Sequence, residues 1–198
     1  MNNKLLEEAL ALEATMVADR RYIHQHAEIG SDLPLTREYV LSRLTAMGYE
    51  PQEICPAGIV AVIGQGGPTL LLRADMDALP MQEESGLPYA SLTDNAHTCG
   101  HDIHTATLLA AAQLLKNHED ELQGTVKLMF QPAEETISGA AAMIAAGVLE
   151  APAVDAAVAM HVSSGHEKGV VYYRPGDIYA SADGFGITIY RSEERRVG

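Results

Sequence analysis

The chain has no tryptophan, and aromatic residues make up only 5% of its 198 positions. Its core must therefore rest on Leu, Ile, Val, Met and Ala. Two cysteines, Cys55 and Cys99, are too few for a disulfide framework. Basic residues are scarce: 13 Lys and Arg face 27 Asp and Glu, a formal net charge of −14. That balance excludes the basic face that nucleic-acid phosphates need. It also excludes docking on anionic lipid. No window approaches 18 continuous apolar residues, so no membrane span is expected. Residues 1–13 carry Glu7, Glu8 and Glu13 in an amphipathic pattern, not the basic start and apolar run of a signal peptide, so the expected compartment is cytoplasmic. What remains, 47% hydrophobic and 20% charged, describes a globular chain of one large domain or two small ones.

Apolar residues recur at helical spacing across 4–26 (Leu5, Leu6, Ala9, Leu12, Met16, Tyr22, Ile23), and Gly30 to Pro34 then breaks the pattern. Thr36 is placed to cap a second helix that runs through Met47 and stops at Gly48. The runs GIVAVIG (58–64) and TLLLRA (69–74) read as two strands joined by a Gly-Gly-Pro turn. IHTATLLAAAQLLK (103–116) reads as a strong helix, TVKLMF (125–130) as a strand, SGAAAMIAAG (138–147) as a helix and DAAVAMH (155–161) as a strand. Near-continuous apolar strands alternating with helices predict an α/β fold with a sheet covered on both faces.

The densest cluster of metal-capable residues is His97, Cys99, His101, Asp102 and His104. On a loop, residues two apart point to one side, so Cys99 and His101 can converge on one ion with Gly100 turning tightly between them. A helix starting at Ile103 would cap itself with Asp102 and favour the Cys99 thiolate. Cys-x-His alone fits a buried cysteine beside surface histidines equally well. Three further segments end apolar strands with ligand-type residues: Asp75 and Asp77; Glu134 and Glu135; and His161. In open α/β sheets ligands gather at strand C-termini, so one rim would hold them all. His24, His26, His118, His166 and Cys55 read as structural or surface residues. Arg73 and Asp77 stay undecided.

LLRADMDALP (71–80), HTCGHD (97–102), FQPAEE (130–135) and the strand ending in His161 together resemble the M20 metallopeptidase family, in particular its amidohydrolase branch acting on N-acyl, hippurate and indole-acetyl amino acids. The resemblance covers residues 3–190. It implies a zinc-peptidase-like catalytic domain, with a mixed sheet flanked by helices and an inserted lid domain through which the family forms homo-oligomers. It implies a site of two divalent ions, zinc or manganese with cobalt and nickel as further candidates. Cys99, His101, Glu135 and His161 would be ligands, with Cys99 in the place of a bridging carboxylate. Glu134 would be the general base and Asp75 would orient a ligand from behind. The implied reaction is hydrolysis of the amide bond of small-molecule N-acyl amino acids. A dipeptidase or aminoacylase-type peptidase of the same family is the alternative, and a non-catalytic binding homologue or a single structural zinc site are others. The family supplies one more ligand histidine downstream, for which nothing follows His166. Residues 1–183 are expected to be the N-terminal part of the catalytic domain, 184–190 the first strand of the lid, and 191–198 (RSEERRVG) a non-native tail. The 198 residues alone are expected to be inactive and to expose an apolar sheet edge.

Overall fold

The computed structural model describes residues 3–178 and 187–188. It divides into two compact units, Met1–Val162 and Ser163–Gly198, and every helix and strand of the described residues lies in the first. The expected lid strand and tail at 184–198 lie outside the described residues, apart from 187–188. No helix of the described residues is long and apolar enough to cross a membrane.

The α/β reading holds. The elements run α1 (Asn3–Ala11), α2 (Glu13–Gln25), α3 (Pro34–Ala46), β1 (Gln52–Cys55), β2 (Gly58–Gly64), β3 (Thr69–Asp75), α4 (His101–Asn117), β4 (Thr125–Gln131), α5 (Gly139–Ala145) and β5 (Ala156–Ala159). The single N-terminal helix expected over 4–26 is two helices. At Leu12 the backbone tightens, its N–H bonding Ala9 O three residues back. Thr36 does not cap α3. The helix starts two residues earlier, with Pro34 in its first turn, where a missing N–H costs nothing. The Glu28 carboxylate reaches across the preceding loop and accepts the N–H groups of Leu35 and Thr36 instead.

The sheet order is β1-β2-β4-β3-β5. β2 and β3 are joined by a short turn yet do not pair, because β4 sits between them, antiparallel to β2 and parallel to β3. All seven residues of β4 are buried, so it requires a neighbour on each side. Its side chains alternate between two cores. Val126, Leu128 and Phe130 join Ile59, Ile63, Leu44 and Leu109 against α3 and α4. Met129 joins Leu71, Met143 and Val148 against α5. Lys127 points to this second side and donates its three ammonium bonds to the carbonyls of Val148, Glu150 and Pro152, pinning the α5–β5 connection. β5 is shorter than the apolar run 155–161, and its four residues form an exposed sheet edge.

β3, β4 and β5 run in one direction, so their C-termini meet at one rim. The N-terminus of α4 arrives there as well.

Candidate metal centre

α4 begins at His101, two residues before the expected start, so Cys99 and His101 flank its cap instead of preceding it. The cap is Gly100 with φ +90°, a left-handed conformation that suits glycine. A Cβ there would also collide with Val162 Cγ2. Gly100 thus lets the segment after β5 lie directly against the cap, which brings Cys99 Sγ within 3.4 Å of His161 Nε2.

His101 and His161 each have one nitrogen committed and one facing the rim. His101 Nδ1 donates to the carbonyl of Asp77 at 2.7 Å. Its Nε2 is buried without a hydrogen-bond partner and lies 3.7 Å from Glu135 Oε1 and 3.8 Å from Glu134 Oε2. Glu135 Oε1 is likewise buried and unpartnered. His161 Nδ1 donates to Val162 O at 2.6 Å, leaving Nε2 toward Cys99. Buried polar atoms ordinarily find partners. Two that converge unpaired beside a thiol and a second imidazole fit a divalent cation. Cys99, His101 and His161 form one group able to hold an ion, and His101, Glu134 and Glu135 another.

The electrostatics point the same way. Burial, together with Glu135, Glu134 and Asp75, pushes the Cys99 thiol up to about 12. The expected thiolate at the helix N-terminus is therefore not favoured by the protein alone, because burial and three carboxylates outweigh the helix dipole. A cation would reverse the balance. Burial disfavours charge on His101, but its bond to Asp77 and the carboxylates of Asp75, Asp77 and Glu135 raise its pKa overall.

Asp77, undecided from sequence, is fully buried and organises the site. Its two carboxylate oxygens accept the backbone N–H groups of Glu134 (2.9 Å) and Glu135 (3.1 Å). One residue thereby sets both the orientation of His101 and the turn that carries the glutamate pair. The only sequence signal for it is two aspartates after an apolar strand. Asp75 is also fully buried. Burial opposes its ionisation, but the His104 hydrogen bond, His101 and Arg73 hold its carboxyl down at about 2. Arg73 Nη1 lies 2.7 Å from Asp75 Oδ2.

Asp102 is no helix cap. It is buried, and its Oδ2 accepts from Arg20 Nε at 2.7 Å and pairs with His24 Nδ1 at 2.8 Å. His24 Nε2 in turn lies 3.0 Å from Glu83. The partners are 82 and 78 positions away, beyond any local pattern. His118 bridges Glu8 and Glu121, each at 2.7 Å, which keeps it structural.

The family described as Peptidase family M20/M25/M40 matches residues 71–195. N-acetyl-L-cysteine deacetylase of Bacillus subtilis (strain 168) is 38% identical over 90% of this chain and 43% of its own length. IAA-amino acid hydrolase ILR1-like 5 of Arabidopsis thaliana is 43% identical over 88% of this chain and 40% of its own. The Bacillus subtilis YXEP protein, a dinuclear metal-binding M20 peptidase, superposes with a TM-score of 0.74 at 38% identity, over 77% of this chain and 44% of that one. The fold and rim define a metallopeptidase-type α/β domain. The chain belongs to the M20/M25/M40 peptidase family. It spans less than half the length of these relatives.

Proposed function

We propose that these residues form the metal-binding part of a hydrolase that cleaves the amide bond of N-acyl amino acids, releasing a carboxylic acid and a free amino acid. The observation that carries this reading is the convergence of two buried, unpartnered ligand atoms, His101 Nε2 and Glu135 Oε1, beside Cys99 and His161. In this reading Cys99, His101, Glu135 and His161 would hold two divalent ions. Sulfur and imidazole donors suit zinc, while carboxylate and imidazole also suit manganese. When bound, such ions supply Lewis acidity that activates water and polarises the amide carbonyl.

The protein's own part is proton handling and orientation. The Glu134 side chain is 38% exposed, so it can meet solvent at the rim, take a proton from water and return it to the leaving amine. Asp77 fixes the turn that carries Glu134 and Glu135 by holding both backbone amides. The substrate class is supported by relatives whose names specify amides of an acyl group with an amino acid. Two free cysteines fit a reducing compartment such as the cytoplasm.

The test is elemental analysis of the whole protein with a panel of N-acetyl and N-benzoyl amino acids, before and after chelation. Two ions per chain and turnover abolished by chelator are expected. Turnover without metal, or a metal-loaded protein inert to every acyl amino acid, would sink the reading.

A further inference from the structure

One buried chain of contacts at the rim is not used by that chemistry. Arg73, on β3, gives its Nε to Gln131 Oε1 at 2.9 Å, which fixes the guanidinium between β3 and β4. Its Nη1 then lies 2.7 Å from Asp75 Oδ2. Asp75 Oδ1 meets His104 Nδ1 at 2.6 Å. His104 Nε2 accepts the backbone N–H of Val162 at 2.9 Å. Val162 is the residue after His161, and the His104 ring stands edge-on to the His161 ring, 4.6 Å between centroids.

The polarity of this chain is determined by its last bond. A backbone N–H can only donate, so His104 Nε2 is the acceptor and the ring proton sits on Nδ1, facing Asp75. Both nitrogens of His104 are then committed. Asp75, His101 and His104 lie close enough together to suggest a further metal-binding group. With His104 held at both ends, it has no donor left to offer an ion; within that group the unpartnered atoms are His101 Nε2 and Asp75 Oδ2, 3.6 Å apart.

We propose that His104, oriented by Asp75 and Arg73, is a positioning residue and not a metal ligand, and that it sets His161 against Cys99. The exposed edge strand β5 ends at Ala159, so the two residues before Val162 lack strand pairing. The His104 bond and the close approach of Gly100 to Val162 hold this segment in their place. An imidazole ligand needs this kind of fixed orientation, and its loss typically weakens metal binding by about 10–100-fold. The part of the proposal that concerns metal rests on the functional reading above; the bracket itself does not.

The experiment has two arms, both on the whole protein. In the metal-free protein, amide hydrogen exchange at Val162 is compared among wild type, His104→Leu and His104→Gln. Leu removes the acceptor and Gln offers an amide oxygen in its place. Exchange at least about tenfold faster in His104→Leu, with protection restored in His104→Gln, is expected for one lost hydrogen bond. In the second arm, cobalt(II) affinity and the thiolate–cobalt absorption band are measured for His104→Leu, His161→Ala and the double variant. If His104 acts through His161, the His104→Leu loss of about 10–100-fold disappears in the His161→Ala background. Equal losses in both backgrounds, or unchanged Val162 exchange in His104→Leu, would overturn the proposal. A wild type that takes up no cobalt would defeat the functional reading, while the exchange arm still decides the bracket. Circular dichroism confirms that each variant folds.

Discussion

His101 and Asp102 are consecutive, both fully buried, and face opposite clusters. Behind α4, Asp102 sits among Arg20, His24 and Glu83, a set in which each charge has an opposite neighbour. Before α4, His101 sits among Asp75, Asp77, Glu134 and Glu135, with Arg73 as the cation paired to them. The first cluster is balanced and holds α2, α4 and the loop at Glu83 together. Both leave buried atoms without a hydrogen bond, Asp102 Oδ1 in the first and His101 Nε2 and Glu135 Oε1 in the second, but the second carries excess negative charge. A buried network whose charges balance reads as structure, and one with negative charge left over reads as a site for a cation.

Four changes would break or sharpen that contrast. Glu134→Gln carries the largest expected effect, a fall in turnover of about a thousandfold with metal content unchanged, checked by kinetics beside elemental analysis. Loss of metal along with turnover would make Glu134 a ligand instead. Asp102→Ala is expected to cost about 3 kcal/mol of stability, read by denaturant titration, because it strands His24 and Arg20. Metal affinity per folded molecule should hold, and a drop would merge the two clusters into one. Gly100→Ala is expected to cost about 2 kcal/mol through its positive φ, and also to weaken metal binding by displacing Val162.

The smallest effects, per pH unit, separate the clusters by sign. Asp102 has a lowered pKa, chiefly through its bonds to His24 and the nearby cations against the cost of burial. Its stabilisation is present above the unfolded value and lost as pH falls through the folded one. His24 is raised, first by its bond to Asp102, so its share is complete below the unfolded value of about 6.5 and fades as pH rises through the folded value. Thermal melts should therefore plateau between about pH 4 and 6.5 from this cluster. Metal affinity should instead climb steadily through the same window, because a Cys99 thiol held up at about 12 must release its proton to bind. Isothermal calorimetry in buffers of different ionisation enthalpy counts that proton, and Cys99→Ser should remove it.

Periodicity locates β2, β3, β4 and α4, because runs such as TVKLMF and TLLLRA declare themselves locally. The parallel run of β3, β4 and β5 then carries Asp75, Glu134, Glu135 and His161 to one rim, so the ligand-type residues are legible as well. What escapes is decided at long range. β4 separates β2 from β3 although a Gly-Gly-Pro turn invites them to pair. Glu28 caps α3 from outside it, and Asp102 turns away from its own helix to meet Arg20, 82 positions earlier. Short, weakly apolar β1 is invisible without β2 beside it. Asp77 hides for another reason: its role is to hold backbone, and a backbone acceptor leaves no pattern in side-chain identity.

Cys99 and His161 lie 62 positions apart. An ion gripped by both would close a loop containing α4, β4, α5 and β5. It would act as a removable cross-link, favouring the folded chain by the loop-closure entropy it takes from the unfolded one. Chelation would then loosen the β5 edge before it disturbs the core beneath β4, and the same ligands that serve the rim would serve as the clasp of half the sheet.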